Sequence, residues 1–297
     1  MDLLEASEFD RLMAAAGVAR AQPLAVGCSG GPDSLALTLL LKDWCGLHDH
    51  PLTALVVNHA IRPEAAAEAA RVAAQLTARD IRAEVLTGTW QPGPGDIQNR
   101  ARQLRFDLMT GWCKRQGVDD LFLAHHAEDQ AETFLLRLAR GSGVSGLAAM
   151  RGRSRHAGVN LHRPLLEVPR ARLAAVVAAA GMTAVQDPSN EDDRFSRVRM
   201  RRLLPELARE GLDHQRLTGT ARRMARAAEA LDHYVMQLLD RAGRLYPEGY
   251  CRLDPQPLDE VPEEIALRAL SRLLQTVAGG DYPPRLERVE TLLARLR

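Results

Sequence analysis

The chain has 297 residues, 46% hydrophobic and 26% charged, enough for one large domain or two smaller ones; this excludes a disordered chain or a small stapled scaffold. Basic residues outnumber acidic ones by only 39 to 38, so no global field draws in nucleic acid and any such contact has to come from local patches. Aromatic residues make up 4%, which leaves Ala, Leu and Val to build the cores.

In chain order, Pro23–Gly27 reads as a buried strand and Ser34–Trp44 as the helix after a Gly-rich turn. Leu52–Val57 is a second strand, Glu64–Arg79 an Ala-rich helix, Ile81–Leu86 a third strand and Ile97–Gln116 a helix. Leu121–Ala124 is a fourth strand leading into a helix over Ala127–Arg140. Buried strands alternating with helices imply an α/β fold with a doubly wound parallel sheet. Val159–His162 and Arg170–Ala180 extend it, while Trp90–Gly95 reads as a loop and Gly141–Gly158 as a flexible Gly/Ser/Arg-rich segment. After Pro205 the character changes: Leu217–Ala242 and Pro262–Val277 are long helical patterns with no convincing strand between them. The division falls near residues 205–216, giving a first domain over 1–210 and a smaller all-helical domain over 216–297. The last stretch carries Leu286, Val289, Leu292, Leu293 and Leu296 on one face and reaches Arg297 without a stop signal, which suggests a further module beyond it.

Cys28, Cys45, Cys113 and Cys251 are far apart and form no Cys-x-x-Cys, so they read as buried thiols of a reducing compartment. The acidic start has no basic segment followed by an apolar one, and no run approaches the roughly 18 apolar residues of a membrane span. A soluble cytoplasmic protein with no membrane partner is the expectation.

The strongest chemical signal is Ser29-Gly30-Gly31-Pro32-Asp33-Ser34, between the first strand and its helix. Gly30 and Gly31 let the backbone approach phosphates, the helix N-terminus supplies free N–H groups, and the Ser29 and Ser34 hydroxyls can donate. Asp33 adds negative charge to an anion site and makes sense as a ligand of the Mg²⁺ that accompanies a nucleotide. The plain alternative is a Gly-rich turn whose Ser or Asp caps a helix. No Gly-Lys-Ser/Thr follows, so this is not a Walker A loop. Asn58 and His59 close the second strand at the same rim, where backbone groups can meet adenine. Arg102 and Arg105 lie three apart on one helical face, either a solvated basic stripe or a clamp for phosphate or carboxylate.

At the end of the fourth strand stands Ala124-His125-His126-Ala-Glu-Asp129-Gln-Ala-Glu132-Thr133. Ligands of such sheets sit beyond the carboxyl ends of strands, beside the first loop. Asp129, Glu132 and Thr133 share a helical face, and the spacing is not that of a His-Glu-x-x-His zinc site. Metal held through Asp129 with nucleotide, or an amine held by Glu132, competes with simple capping and a solvated acidic first turn. Gly141-Ser-Gly143-Val-Ser-Gly146 matches a dinucleotide fingerprint but follows a helix instead of a strand, so it is rejected. Two acid-free arginine sets remain: Arg194, Arg197, Arg199, Arg201 and Arg202, and Arg137, Arg140, Arg151, Arg153 and Arg155. Either alone reads as a solvated face; two flanking a nucleotide site favour phosphate-backbone contacts, without the aromatic interleaving of single-strand stacking.

The loop over 29–34 resembles the PP-loop of the ATP pyrophosphatases. Together with Val57-Asn-His59, Ala101-Arg-x-x-Arg-Phe106, His125-His-x-x-Asp-Gln-x-Glu-Thr133, Arg140-Gly-Ser-Gly143, Arg163-Pro-Leu-Leu166 and Asp187-Pro-Ser-Asn190, the stretch from Leu24 to Leu204 resembles the tRNA(Ile)-lysidine synthases. One departure is Val198, where that family's pattern has Asn in a solvated Arg-Asn-Arg stretch. The resemblance implies a carbon–nitrogen ligase that adenylates C2 of the wobble cytidine of a CAU-anticodon tRNA(Ile), after which the ε-amine of free L-lysine displaces AMP. It implies ATP on Ser29, Gly30, Gly31, Pro32, Asp33, Ser34, Asn58 and His59, with Mg²⁺ on Asp33. Asp33, Asp129, Glu132 and Arg102 would be catalytic, and Arg105, His125 and His126 would contact lysine or phosphate. Arg140, Arg194, Arg197, Arg199 and Arg201 would bind tRNA, the helical domain would bind or link to tRNA, and a homodimer stays open. Rival readings are a sulfur-inserting PP-loop enzyme acting on tRNA and an amidating ligase acting on a small molecule; lysine dependence separates them.

Overall fold

The computed structural model describes residues 3–18, 21–60, 64–89, 97–185, 196–279 and 284–297. Contacts divide the chain into two units, Met1–Ala221 and Arg222–Arg297.

In the first unit the apolar runs form β1 (Leu24–Gly27), β2 (Leu52–Asn58), β3 (Arg82–Thr87), β4 (Asp120–Phe122), β5 (Arg153–His156) and β6 (Val159–His162), in sheet order β3-β2-β1-β4-β6-β5. Every pair is parallel except β5–β6. Strand residues alternate between two cores, as the two-residue period of a strand requires. Leu24, Val26, Ala54, Val56 and Phe122 face one core, with residues of α1 (Ala6–Ala16), α2 (Pro32–Leu47), α3 (Ala65–Thr77) and α7 (Arg170–Ala179). Ala25, Leu55, Leu121 and Leu123 face the other, with Met109, Trp112 and Cys113 of α4 (Ile97–Gln116). Helices on both faces make this a doubly wound sheet.

A buried polar knot ties β4 to β6. Asp120 accepts from Asn160 at 3.0 Å, pairs with His162 Nε2 at 2.6 Å, and also accepts from Gln22. Burial pushes the Asp120 carboxyl up, but these partners outweigh it and hold it below its ordinary value.

The segment expected to be flexible, Gly141–Gly158, is instead built: it holds α6 (Val144–Leu147) and β5, the antiparallel edge strand. Arg137, on α5 (Ala127–Leu138), donates to Gly146 O at 2.8 Å and Ala149 O at 2.7 Å, so this arginine fastens the segment to α5. The Gly141–Gly146 fingerprint spans the turn from α5 into α6, with no strand before it. Among the longer described helices, two do not show in the sequence pattern: α1, and α8 (Ser196–Arg209), whose arginines mask its periodicity. Val198 is buried in α8, not solvated as expected, which explains an apolar residue there. Residues 210–213 link α8 to α9 (His214–Ala242), and the contacts divide inside α9. Its first turns bring Leu217 and Ala221 against Ala131 and Phe134 of α5.

The second unit holds the rest of α9, β7 (Gly243–Leu245), β8 (Cys251–Leu253), α10 (Gln256–Asp259), α11 (Glu263–Ala278) and α12 (Leu286–Leu296). The helical reading of this region stands, with one addition: β7 and β8 pair as an antiparallel ribbon. Val289 and Leu293, from the apolar stripe of α12, are buried against Val235, Leu238, Ile265 and Leu270, so the stripe serves this unit's own core.

Candidate active site

Strand order reverses direction at β1, whose neighbours β2 and β4 carry the chain to opposite sides, and ligands of doubly wound sheets bind at such a switch point. The 29–34 loop leaves β1 there, and His125 and His126 follow β4.

Within the loop, Gly30 has φ +80° and its carbonyl accepts from Val185 N at 2.8 Å. A Cβ at Gly30 would come within 2.4 Å of Val72 Cγ2, so both backbone and packing require glycine. A Cβ at Gly31 would meet only Ser29 Oγ, at 3.5 Å, so the space over this residue is open to a ligand. Pro32 opens α2 at a position where no N–H is needed. The Ser34 hydroxyl donates to Gly31 O at 3.0 Å and accepts the Ser29 N–H at 3.1 Å; Ser29 Oγ lies 3.2 Å from it. Both hydroxyls bond within the loop and brace it, Ser29 remaining exposed, and the N-terminus of α2 beside them offers N–H groups suited to an anion.

His126 is the hub of an acidic wall. Its buried ring places Nδ1 2.9 Å from Glu128, and Nε2 3.4 Å from Asp129 and 3.6 Å from Asp33. Burial alone would drive the ring neutral; the carboxylates outweigh it and raise His126 to about 10, so it is an imidazolium at neutral pH. Asp129 accepts the His126 N–H at 3.1 Å and closes a capping box on α5. Glu128 accepts the Arg170 N–H at 3.0 Å, and Arg170 Nε stands 3.6 Å from Asp33 Oδ1. That Asp33 oxygen is buried with no hydrogen bond among the described residues.

Glu132 is fully buried, with Oε1 accepting from Arg201 Nε at 2.7 Å and Oε2 without a hydrogen bond among the described residues. Burial raises its carboxyl above the ordinary value, against the pull of Arg201. Arg201 also feels Asp129 and Asp33, which places its charge beside all three carboxylates. Arg201 is therefore engaged with Glu132, with 39% of its side chain left exposed.

A second wall, within reach of Asp129, is cationic. Burial and the neighbouring Arg197, Arg163 and Arg105 lower Arg102 to about 10, and its guanidinium lies 5.0 Å over the Phe106 ring. Burial, followed by Arg163, Arg102 and Arg197, pushes the half-buried His125 well below its ordinary value, so it is neutral. Arg105 donates to His59 Nε2 at 3.3 Å from Nε, fixing the end of β2. The two walls together suit a ligand carrying both charges, or an anion beside an amine.

The structure thus brings together Ser29–Ser34, His125, His126, Asp129, Glu132, Arg102, Arg105, Arg197 and Arg201. Asn58 braces a turn: its side chain accepts from Ala60 N at 2.9 Å and its carbonyl from Gly88 N at 3.1 Å. Arg140, past the end of α5, and Arg199, on α8, are exposed. Arg194 and the Asp187–Asn190 motif lie outside the described residues. Sequence reading gave no role to Arg163, Arg170 or Glu128. Arg163 stands in a quoted motif and Glu128 beside one, and Arg170 follows Pro169 at a helix start, the only signals they carry.

Residues 3–207 match a family model described as a PP-loop domain. The chain is 43% identical over 280 residues to the tRNA(Ile)-lysidine synthase of Ruegeria pomeroyi, covering 93% of this chain and 67% of that protein. With the Rhodopseudomonas palustris tRNA(Ile)-lysidine synthase, identity is 41% over 303 residues, covering 99% and 85%. The chain belongs to the tRNA(Ile)-lysidine synthase family. A third member, from Methylobacterium nodulans, is 40% identical over 279 residues, covering 93% and 82%. The fold is also that of the U34-tRNA thiolase NcsA from Methanococcus maripaludis, solved with its [4Fe-4S] cluster, at TM-score 0.63 and 16% identity over 75% of this chain and 78% of that one. In this lysidine synthase family member Cys28, Cys45 and Cys113 are buried, and burial pushes the Cys45 and Cys113 thiols to about 12, unsuited to thiolate chemistry. No described helix is long and apolar enough to cross a membrane.

Proposed function

We propose that this protein converts the wobble cytidine of a CAU-anticodon isoleucine tRNA to lysidine, consuming ATP and free L-lysine. The observation that carries the reading is the convergence of Asp33, Asp129 and Glu132, from two separate motifs, around one cation-holding space at the end of β1 and β4.

The 29–34 backbone and the N-terminus of α2 hold the triphosphate. Mg²⁺ fits here: the buried, unbonded Asp33 Oδ1 and the nearby Asp129 offer the one or two carboxylates that this ion takes beside phosphate oxygens, and it would offset charge on the α-phosphate. The cytidine O2 attacks the α-phosphorus and pyrophosphate leaves. The lysine ε-amine then attacks C2, the C2–O bond breaks and AMP departs. The attacking amine must lose a proton, and Glu132 suits that task because burial raises its carboxyl toward the working pH. His126, already an imidazolium, cannot accept a proton; it positions Asp33, Glu128 and Asp129. Arg102 and Arg197 face the anionic groups, phosphate or the lysine carboxylate.

The test is incorporation of radiolabelled lysine into tRNA(Ile) transcript with a CAU anticodon, beside a methionine tRNA with the same anticodon. Label in the isoleucine tRNA alone, lost in Asp33→Ala, is the expected result. ATP-dependent pyrophosphate release without label would mean that the second nucleophile is not lysine.

A further inference from the structure

The ribbon β7–β8 has two unlike faces. Register pairs Gly243 with Leu253, Arg244 with Arg252 and Leu245 with Cys251, and the Tyr246 N–H donates to Tyr250 O at 3.0 Å. Alternation therefore sets Arg244, Arg252, Tyr246 and Tyr250 on one face. On the other, Leu253 packs against the helical core, and a Cβ on Gly243 would lie 3.9 Å from Leu273 Cδ1 of α11, so that face turns toward the core. Leu245, further out, is exposed.

The Arg/Tyr face is built in an unusual way. Like charges directly across an antiparallel pair destabilise it, yet Arg244 and Arg252 are cross-strand partners, both exposed, with no carboxylate paired to either among the described residues. The Tyr246 and Tyr250 rings stack with centroids 4.6 Å apart and planes 11° from parallel, and Arg244 lies 5.8 Å over the Tyr246 ring. Tyr250 leaves 53% of its surface exposed, and its outer ring face continues the stack toward solvent. Gly249, at φ +87°, turns the chain so that the rings can meet. The acids nearby are Glu248 at the tip, Asp240, and Asp254, whose carboxylate is occupied by the Gln256 N–H at 3.1 Å. A concavity of about 760 Å³ opens at the ribbon's base, lined in part by Arg241, Arg244 and Arg252.

We propose that this face of the ribbon is a contact for single-stranded or looped RNA: Tyr250 stacks on an unpaired base, and Arg244 and Arg252 hold the phosphates on either side of it. Two guanidiniums facing one way fit two phosphates, and an exposed aromatic stack fits a base whatever its identity. The assignment rests on RNA being the substrate, as proposed above, and it gives the second unit a binding role of its own.

The test uses the full chain and anisotropy of end-labelled RNA, both the CAU-anticodon tRNA(Ile) transcript and an unstructured oligonucleotide. Tyr250→Ala is expected to weaken binding about tenfold, in the range of one base stack, while Tyr250→Phe retains it. Arg244→Gln with Arg252→Gln is expected to reduce the slope of log K against log salt by about 1.4, the share of two phosphates on a single strand. A melting temperature no lower than wild type in these exposed substitutions, and unchanged KM for ATP and lysine, show that the loss is of RNA alone. Binding within twofold of wild type in all variants overturns the assignment, as does a wild-type chain that binds no RNA. A change of molecular mass in Tyr250→Ala also overturns it, because the face would then meet a second copy. If the ribbon variants weaken RNA binding but the wild type incorporates no lysine, the ribbon stands and the lysidine reading falls.

Discussion

Replacing Arg201 by Ala separates two roles that the residue could have. As a phosphate contact its loss would cost tRNA affinity and little else. In the structure it meets the fully buried Glu132 at 2.7 Å, and that carboxylate has no other hydrogen-bond partner among the described residues. Breaking a buried pair by removing one partner costs about 3–5 kcal/mol. The Arg201 side chain is 39% exposed, so solvent already screens part of the attraction, and about 2–3 kcal/mol is the expected loss of unfolding free energy. The pH dependence has a definite sign. Glu132 is raised above 4.5 in the folded protein, so between 4.5 and its folded value the native state binds more protons than the unfolded one. Stability from this group therefore falls as pH rises through that window. Without Arg201 burial acts unopposed, the folded value climbs, and the window widens upward. Urea unfolding of the full chain at pH 5 and pH 8 should show a loss that is larger at pH 8, and Glu132→Gln should recover most of it in the double variant. An equal loss at both pH values, or none beyond about 0.5 kcal/mol together with a reduced salt slope of tRNA binding, would refute the pairing and return Arg201 to the RNA surface.

Gly30→Ala should cost about 1–3 kcal/mol and weaken ATP binding, because φ +80° and the 2.4 Å approach to Val72 leave no room for a Cβ; nucleotide titration against Gly31→Ala, which meets only ordinary contacts, checks it. His126 is raised from 6.5 to about 10, so its contribution is fully present below pH 6.5 and fades as pH climbs through 10. Melting temperatures at pH 7 and 10.5 should show that loss in the wild type and a weaker one in His126→Gln. Asp120→Leu strands the buried His162 and the half-buried Asn160 and should cost about 3 kcal/mol in urea unfolding, with the ATP affinity of the folded fraction preserved.

The parallel core was readable because its strands are buried on both faces: Leu24–Gly27 and Ala54–Val57 are continuous apolar runs that suit a covered sheet. Glycines and a Pro at the first helical position marked the loop after β1 with equal clarity. What stayed hidden follows from charge and length. Ser196–Arg209 reads as a solvated basic run because five of its residues are arginine, yet Val198 is buried and Arg201 reaches Glu132. An arginine set in sequence does not say which guanidiniums point outward. Arg137 bonds two backbone carbonyls, Arg201 a carboxylate, and Arg199 lies exposed. Likewise the histidine pair could not be split by sequence. Adjacent residues at a strand end point apart, which sends His126 among carboxylates and His125 among arginines, one charged and one neutral.

Strands of three residues are below what periodicity can resolve, so Gly243–Leu245 and Cys251–Leu253 read as interruptions between helices. The signal that could have found them is symmetry. Arg244-Leu-Tyr246-Pro-Glu-Gly-Tyr250-Cys-Arg252 repeats its order of charge and ring on both sides of a Pro-Glu-Gly turn, and only an antiparallel hairpin turns that order into facing pairs. The same symmetry bears on function. A ribbon of this length gains little from its own hydrogen bonds, and the facing arginines work against it. Its inner contacts with the helical core, through Leu253 and the position of Gly243 beside Leu273, must hold it in place, and they do so without needing either arginine or the exposed Tyr250. Substituting Arg244 and Arg252 by Gln should therefore leave the unit at least as stable as before. A stabilised variant that binds RNA less well would show that the repulsion is retained for the ligand, and a destabilised one would show that the arginines serve the fold.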